Sequence, residues 1–171
     1  MLTVEEKRWL LDLARGAVSS RLEGRPAPAA VPESSRLRES SGAFVTLHRH
    51  GALRGCIGLV QAVKPLYQAV QEMAVSAAFE DPRFPPLRPE ELDDVEVEIS
   101  VMSPLKRVRS AGEIRVGEHG LLMKRGFHQG LLLPQVATEQ GWDRDTFLRH
   151  TCFKAGMSGD CWKDPATEIY V

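Results

Sequence analysis

The chain has 171 residues, of which 43% are hydrophobic and 26% charged, and its formal net charge is -1. This length and composition are typical of one globular domain, or of two intimately packed lobes, that needs no disulfide or metal to hold its core. The near-neutral charge argues against nucleic acid as a partner, because nucleic-acid-binding domains usually carry a basic excess.

The sequence pattern predicts a cytoplasmic protein with no membrane segment. No apolar run approaches the roughly 20 residues that span a bilayer. The N-terminal stretch MLTVEEKRWLLDLAR lacks the basic start, apolar centre and small-residue cleavage site of a secretory signal. Three cysteines without a CxxC pair fit a reducing compartment better than a disulfide framework.

The first predicted helix begins after Thr3, which forms a capping box with Glu6. Apolar residues then recur at helical spacing and form one stripe: Trp9, Leu10, Leu13, Ala14, Ala17 and Val18. Gly24 is a typical residue for the end of such a helix. The proline-rich stretch 25–35 that follows predicts an extended connector along the surface.

Two strands, a helix and a third strand are predicted next. The run AFVTLHRHGALRGCIGLV is typical of two strands joined by a hairpin turn at His50 and Gly51. Pro65 suits the first turn of a helix whose apolar residues lie on one side. In the segment 95–102, valine and isoleucine alternate with polar residues, which predicts a half-buried strand with a polar second face.

The last third of the chain predicts short strands, one helix and a closing strand. Residues 114–134 are rich in glycine and leucine and are typical of short antiparallel strands. Asp143 is a typical N-cap for a helix that ends at Gly156, and ATEIYV closes the chain as a strand. Because helices and hairpins are mixed without a regular strand-helix-strand rhythm, the predicted class is α+β.

Cys56 is the first candidate for chemistry. It lies between Gly55 and Gly58 in ALRGCIGLV, and glycine inside a strand usually marks a bulge, a bend or a close approach to the backbone. The two glycines would leave backbone N–H groups uncovered beside the sulfur, and Arg54 would add positive charge, which together favour the reactive thiolate. The alternative is a small buried hydrophobic residue, which is the usual role of free cysteine.

His150 is the candidate base for this thiol. On the predicted last helix it lies off the apolar stripe, so it faces solvent or another lobe. That stripe contains Phe147, Leu148, Thr151, Cys152 and Ala155. The alternative is a solvated surface histidine.

The spacing of histidines and cysteines does not predict a metal site. His150 and Cys152 point in different directions on a helix and cannot hold one ion together. His48 and His50 could share a strand face, although polar residues are common at the end of a hairpin. Cys152 and Cys161 lack the spacing of a zinc site.

Glu96 and Glu98 lie on the polar face of the predicted strand 95–102. If that face lines a groove, either carboxylate could orient a histidine or hold a basic group of a ligand. The alternative is a pair of solvated carboxylates. Both interpretations stay open at this stage.

Several segments together resemble one protein family. The hexapeptide LRGCIG, residues 53–58, is similar to the signature of the AMMECR-type domain, also called AmmeMemoRadiSam system protein A. Further similar segments are PLYQAVQEMAVSAAFEDPRFPPL, VEVEISVMSPL, GLLLPQVATEQGWD, FLRHTCFKAG and CWKDPATEIYV. The resemblance covers nearly all of residues 41–171 and the first helix, so the whole chain is interpreted as a single domain of this type with two sub-lobes.

The resemblance implies two unequal lobes, each an antiparallel sheet with flanking helices, and a cleft between them near the hexapeptide. The cleft residues that it implies are Arg54, Gly55, Cys56 and Gly58, with His150 and Cys152 in second place. Cys161 departs from the family pattern, where the corresponding position more often resembles alanine, and this argues against a general functional role for Cys161. The resemblance implies no settled activity and no cofactor.

The partners that the resemblance implies are a Memo-type protein, related to extradiol dioxygenases, and a radical S-adenosylmethionine protein. Three functions are therefore compared: a cysteine-dependent enzyme component acting on a small molecule or a protein, a non-catalytic partner that docks one of these proteins, and RNA binding, which the near-neutral charge disfavours. The predicted catalytic residues are Cys56 and His150. The predicted ligand-binding residues are Arg54, Gly55, Gly58, Glu98 and Cys152.

Overall fold

Two three-stranded antiparallel sheets form the framework of the protein. The structure is a computed structural model that describes residues 2–171. It divides into a first unit that ends at Pro104 and a second unit that begins at Leu105. The predicted α+β class with two unequal antiparallel lobes is therefore confirmed, whereas the close packing of the lobes and the cleft between them stay predictions.

The first unit packs helices against one face of a sheet with the strand order β2-β1-β3. Its strands are β1 (Ala43–Arg49), β2 (Ala52–Leu59) and β3 (Val95–Val101). Its helices are α1 (Val4–Leu22), α2 (Ser35–Arg38) and α3 (Leu66–Phe79), and a 3-10 turn, Pro89–Asp94, precedes β3. The short helix α2 was not predicted, because four residues carry no periodicity.

Helix α1 begins as its sequence predicts. The Thr3 hydroxyl accepts a hydrogen bond from the Glu6 backbone N–H, and the Glu6 carboxylate accepts one from the Thr3 backbone N–H at 2.8 Å. The predicted apolar stripe is buried except for Trp9, which is half-buried. The stripe joins α3 and the inner face of the sheet in one apolar core.

The hairpin between β1 and β2 turns at His50 and Gly51, as predicted. Both residues have positive φ angles, 52° and 76°, which a tight two-residue hairpin turn requires. Close to this turn, the pairing with β1 shifts between Leu47 and His48. Arg54 is left without a partner on β1, so it forms a β-bulge two residues before Cys56.

The alternation of β3 places its side chains on two faces, as predicted. Val97 and Ile99 pair with Leu47 and Val45 of β1, which are buried in the core. Glu98 pairs with Thr46 and therefore lies on the opposite face of the sheet. This opposite face also carries Cys56.

The second unit packs two helices against a sheet with the order β5-β4-β6. Its strands are β4 (Leu121–Arg125), β5 (His128–Leu132) and β6 (Glu168–Tyr170), and its helices are α4 (Pro134–Glu139) and α5 (Arg144–Lys154). Helix α5 begins at the predicted N-cap, since the Asp143 carboxylate accepts a hydrogen bond from the Thr146 backbone N–H at 2.8 Å. Helix α4 was not predicted, because its six residues follow directly on the strand pattern.

A disulfide joins Cys152 on α5 to Cys161, and the two Cα atoms are 5.9 Å apart. Both cysteines are buried beside Met123 in the core of the second unit. This bond differs from the expectation that the cysteines form no disulfide framework. The chain reverses at Gly156, where φ is 70°, and returns Cys161 to the helix, a contact that the spacing in the sequence does not indicate.

Among residues 2–171, no helix is both long enough and apolar enough to cross a membrane. The predicted cytoplasmic location stays a prediction.

Candidate functional site

Cys56 lies in a row of three side chains across the sheet of the first unit. Cys56 of β2 pairs with Thr46 of β1, and Thr46 pairs with Glu98 of β3, so all three side chains project from the same face. Cys56 is half-buried and carries a free thiol. The Thr46 hydroxyl, itself buried, donates a hydrogen bond to Sγ of Cys56 at 3.2 Å. This bond fixes the position of the sulfur.

The backbone of Cys56 is held by two side chains that sequence analysis missed. Because β2 is an edge strand, the Cys56 backbone has groups that no neighbouring strand binds. Its N–H donates to Oδ2 of Asp81 at 2.9 Å, and its carbonyl accepts from Nη2 of Arg83 at 3.3 Å. Asp81 and Arg83 therefore bind the free edge of the strand beside the thiol.

Asp81 and Arg83 also bind each other through two parallel hydrogen bonds. Nε of Arg83 donates to Oδ1 of Asp81 at 2.9 Å, and Nη2 donates to Oδ2 at 2.7 Å. Asp81 is only 4% exposed. The Arg83 guanidinium holds the pKa of the Asp81 carboxyl well below its usual range, and the backbone N–H groups of Cys56 and Arg83 add to this effect. The carboxylate therefore stays ionised beside Cys56.

No short sequence pattern indicates this arrangement. Asp81 and Arg83 lie in the stretch FEDPRF, which resembles the family, but an Asp and an Arg two residues apart are common in loops. Their contact with Cys56 spans 25 residues of sequence. Near these residues in the sequence, only the position of their loop, directly after α3, could indicate that they contact Cys56.

The two glycines beside Cys56 have different structural roles. Gly55 is buried and faces α3, and a Cβ atom there would overlap the Ala77 backbone carbonyl oxygen. Gly58 lies on the same face as Cys56, and a Cβ atom there would overlap the ring of Phe44. Gly55 therefore allows β2 to pack against the helix, and Gly58 makes room for the aromatic ring. Ligand binding by either glycine stays a prediction.

Arg54 is bound to a buried carboxylate rather than directed freely at a ligand. Its Nε and Nη2 each donate to Glu91 at 3.0 Å, and Nη1 of Arg49 donates to the same carboxylate at 3.0 Å. Glu91 is 4% exposed, and these arginines, Arg54 first, lower its pKa to about 2. Among the described residues, Nη1 of Arg54 is buried without a hydrogen-bond partner. One donor of this predicted ligand-binding arginine is therefore unused.

Glu98 is exposed and lines a cavity of about 810 Å³ within the first unit. The cavity lies between α1 and β3, and its apolar wall includes Leu10 of the helix and Ile99 of the strand. Glu98 therefore belongs to the same row of side chains as Cys56 and also lines a cavity. A ligand-binding role for Glu98 stays a prediction.

His150 and Cys152 belong to the second unit, on α5. The His150 ring stacks on Trp142 with centroids 4.0 Å apart, and it contacts Phe153 edge-on at 5.8 Å. Cys152 has no exposed surface and no free thiol, so a ligand cannot reach its sulfur. The role of His150 as a base for Cys56 stays a prediction, and Cys152 has a structural explanation in the disulfide.

The histidines of the first hairpin do not form part of a metal-binding cluster. Nε2 of His50 lies 3.5 Å from the Asp94 carboxylate. Within residues 2–171, no group of three or more His, Cys, Asp or Glu side chains is placed to hold a metal ion.

Comparison with known proteins places the chain in a family. The family model described as AMMECR1 matches residues 11–171. A protein of Methanothermobacter thermautotrophicus is 49% identical over 99% of this chain and 92% of the relative, and one of Methanopyrus kandleri is 45% identical over 99% and 86%. The crystal structure of an uncharacterized protein from Pyrococcus horikoshii superimposes with a TM-score of 0.91 at 41% identity, covering 95% of this chain and 85% of the other. The chain belongs to the AMMECR1 family.

Proposed function

We propose that this protein is a thiol-dependent enzyme component in which Sγ of Cys56 acts as a nucleophile or thiol carrier. Its substrate class is a small molecule or a protein with an electrophilic carbonyl carbon. In the covalent step, the thiol proton passes to a base and the sulfur forms a bond to that carbon. The carbonyl π pair moves to the oxygen.

The observation that supports this proposal is the number of groups that position one half-buried cysteine. Thr46 binds the sulfur, Asp81 binds the backbone N–H, and Arg83 binds the carbonyl. The two backbone contacts would serve any residue on this edge strand, but a cysteine that only fills apolar space does not need the hydrogen bond to its sulfur. A reactive group benefits from this bond, because chemistry requires side chains held in a productive geometry by their neighbours.

The identity of the base and of the partners belongs to the same proposal. His150 is the proposed base, on the grounds of the sequence alone. A Memo-like protein and a radical S-adenosylmethionine protein are the proposed partners, and family membership supports them.

Alkylation of the free thiol tests the proposal directly. We expect iodoacetamide to modify Cys56 at neutral pH faster in the native protein than in the protein unfolded in guanidinium chloride, because the fold holds the sulfur in one position. Mass spectrometry of peptides measures the rate at each cysteine. Cys152 and Cys161 stay unmodified while their disulfide is intact.

Two variants serve as controls. Cys56→Ser abolishes the labelling, and Thr46→Val, which keeps the shape but removes the hydroxyl, slows it. If native Cys56 reacts more slowly than the unfolded chain, the sulfur is protected rather than activated, and the thiol-dependent function is wrong.

The second candidate function is a docking module without catalysis. The cavity of about 810 Å³ beside β3 favours it, because β3 is an edge strand and Val101 at its end is 39% exposed. A pull-down with the Memo-like and radical proteins separates the two functions. Cys56→Ser retains binding in both, but it retains the activity of the assembled system only if the protein is a docking module.

A further inference from the structure

The second unit contains a cavity of about 710 Å³ that is distinct from the residues around Cys56. Its walls come from the segment 107–111 and from the segment 162–169. The backbone joins the two segments, since the N–H of Val108 donates to the carbonyl of Ile169 at 2.9 Å. The volume lies within the range of about 300–1,000 Å³ that is typical of small-molecule sites.

The charged side chains of this cavity are mostly basic. Three cations, Arg107, Arg109 and Lys163, line it together with one carboxylate, Asp164. The Asp164 carboxylate is already bound, since it accepts from Nη1 of Arg125 at 2.8 Å and from the backbone N–H of Ala166 at 2.9 Å.

The three cations differ in whether a carboxylate forms an ion pair with them. Arg107 pairs with Glu168 at 3.2 Å. Arg109 and Lys163 form no ion pair with a carboxylate in the part of the chain that the structure describes. Nζ of Lys163 lies 5.2 Å from the ring centroid of Trp162, which also lines the cavity. The wall thus offers two cations without a close ion pair beside an aromatic ring, although Glu113 and Asp160 interact with them at longer range.

Thr167 supplies an independent observation at the same place. It lines the cavity and is 8% exposed, and its Oγ1 is buried without a hydrogen-bond partner among the described residues. A buried hydroxyl without a partner costs free energy, and native proteins rarely leave one unsatisfied. A hydrogen-bonding ligand group in the adjoining cavity would satisfy it.

We propose that this cavity binds a phosphate monoester of a molecule that carries a flat ring. The phosphate, with a charge of about -2 at neutral pH, matches the two cations that lack a close ion pair, Arg109 and Lys163. The Thr167 hydroxyl donates to a phosphate oxygen. The ring of the ligand lies against Trp162, since aromatic pairs attract beyond the effect of burial alone.

Calorimetric titration of the full-length protein with adenosine 5′-monophosphate tests this site. We expect saturable binding, which the double change Arg109→Gln and Lys163→Gln weakens about tenfold or more, because each charge-assisted hydrogen bond contributes on that order. Lys154→Gln on α5, which removes an exposed cation outside the cavity, leaves the affinity unchanged.

Thr167→Val separates ligand binding from folding. Valine keeps the shape and removes an unsatisfied hydroxyl, so the thermal midpoint of the free protein does not fall while the affinity for adenosine 5′-monophosphate does. Absence of saturable binding up to millimolar ligand overturns the proposal, as does binding that the Arg109 and Lys163 changes leave intact. Adenosine that binds as tightly as its monophosphate overturns the phosphate assignment, and inorganic phosphate that does so overturns the ring assignment.

Discussion

Two buried carboxylates in the first unit make the free energy of unfolding depend on pH. Asp81 and Glu91 are both 4% exposed, and both have pKa values below the ordinary carboxyl range because arginines bind them. A carboxyl group whose pKa is lower in the folded protein stabilises the fold at pH values above its unfolded pKa. That contribution disappears as the pH falls toward the folded pKa.

The first prediction concerns Glu91, whose pKa falls from 4.5 to about 2 on folding. We expect the free energy of unfolding to decrease as the pH is lowered from 4.5 to about 2. Glu91→Gln reduces this slope, to which Asp81 still contributes, and at neutral pH it destabilises the protein by about 3 kcal/mol, because two partly buried arginines lose their carboxylate. Urea unfolding at a series of pH values measures both effects. The exposed Asp93→Asn is the control, and an equal slope in both variants would contradict the prediction.

The second prediction concerns two secondary-structure elements: the packing of β2 against its neighbours depends on the glycines at positions 55 and 58. Gly55→Ala pushes a methyl group into the backbone of α3 at Ala77, so we expect a loss of about 3 kcal/mol. Gly58→Ala meets the ring of Phe44, which can rotate, and the backbone carbonyl oxygen of Ala43, which overlaps less deeply than the Ala77 oxygen at Gly55, so a smaller loss of about 2 kcal/mol is expected. Chemical denaturation measures the difference. Gly112→Ala, where a Cβ atom has space, is the control; equal losses at positions 55 and 58 would refute the distinction.

Some features of the helices and strands can be predicted from a pattern of residues that are close in the sequence. The capping box, the apolar stripe of α1 and the alternation of β3 each involve residues a few positions apart, and all three are confirmed. The Arg54–Glu91 pair and the Asp81 contact with Cys56 join residues 37 and 25 positions apart. Such contacts depend on how elements pack, so the sequence predicted Arg54 only as a ligand-binding residue and did not predict Asp81 at all.

At the scale of the whole molecule, the two units have separate apolar cores, and only the second contains the Cys152–Cys161 disulfide. We expect reduction with dithiothreitol to destabilise the second unit by about 2 kcal/mol, since the bond closes a short loop. Amide hydrogen exchange should become faster in α5 and stay unchanged in α3. The variant Cys152→Ser with Cys161→Ser should not respond to dithiothreitol. Equal acceleration in both helices would contradict independent cores.

The family was recognisable from the sequence because the hexapeptide and each of the later segments is an unbroken run of residues. The two-lobed antiparallel class followed from that resemblance and from the absence of a strand-helix-strand rhythm. The disulfide was not predicted, because the eight positions between Cys152 and Cys161 carry no signature that indicates the pairing.

The side chains that hold the backbone of Cys56 have one more consequence for the molecule. An uncovered outer strand invites pairing with strands of other chains, the first step of aggregation. Asp81 and Arg83 occupy the outward hydrogen-bonding groups of the β2 backbone at Cys56. The polypeptide edge beside Cys56 therefore stays closed to unwanted self-association at this position.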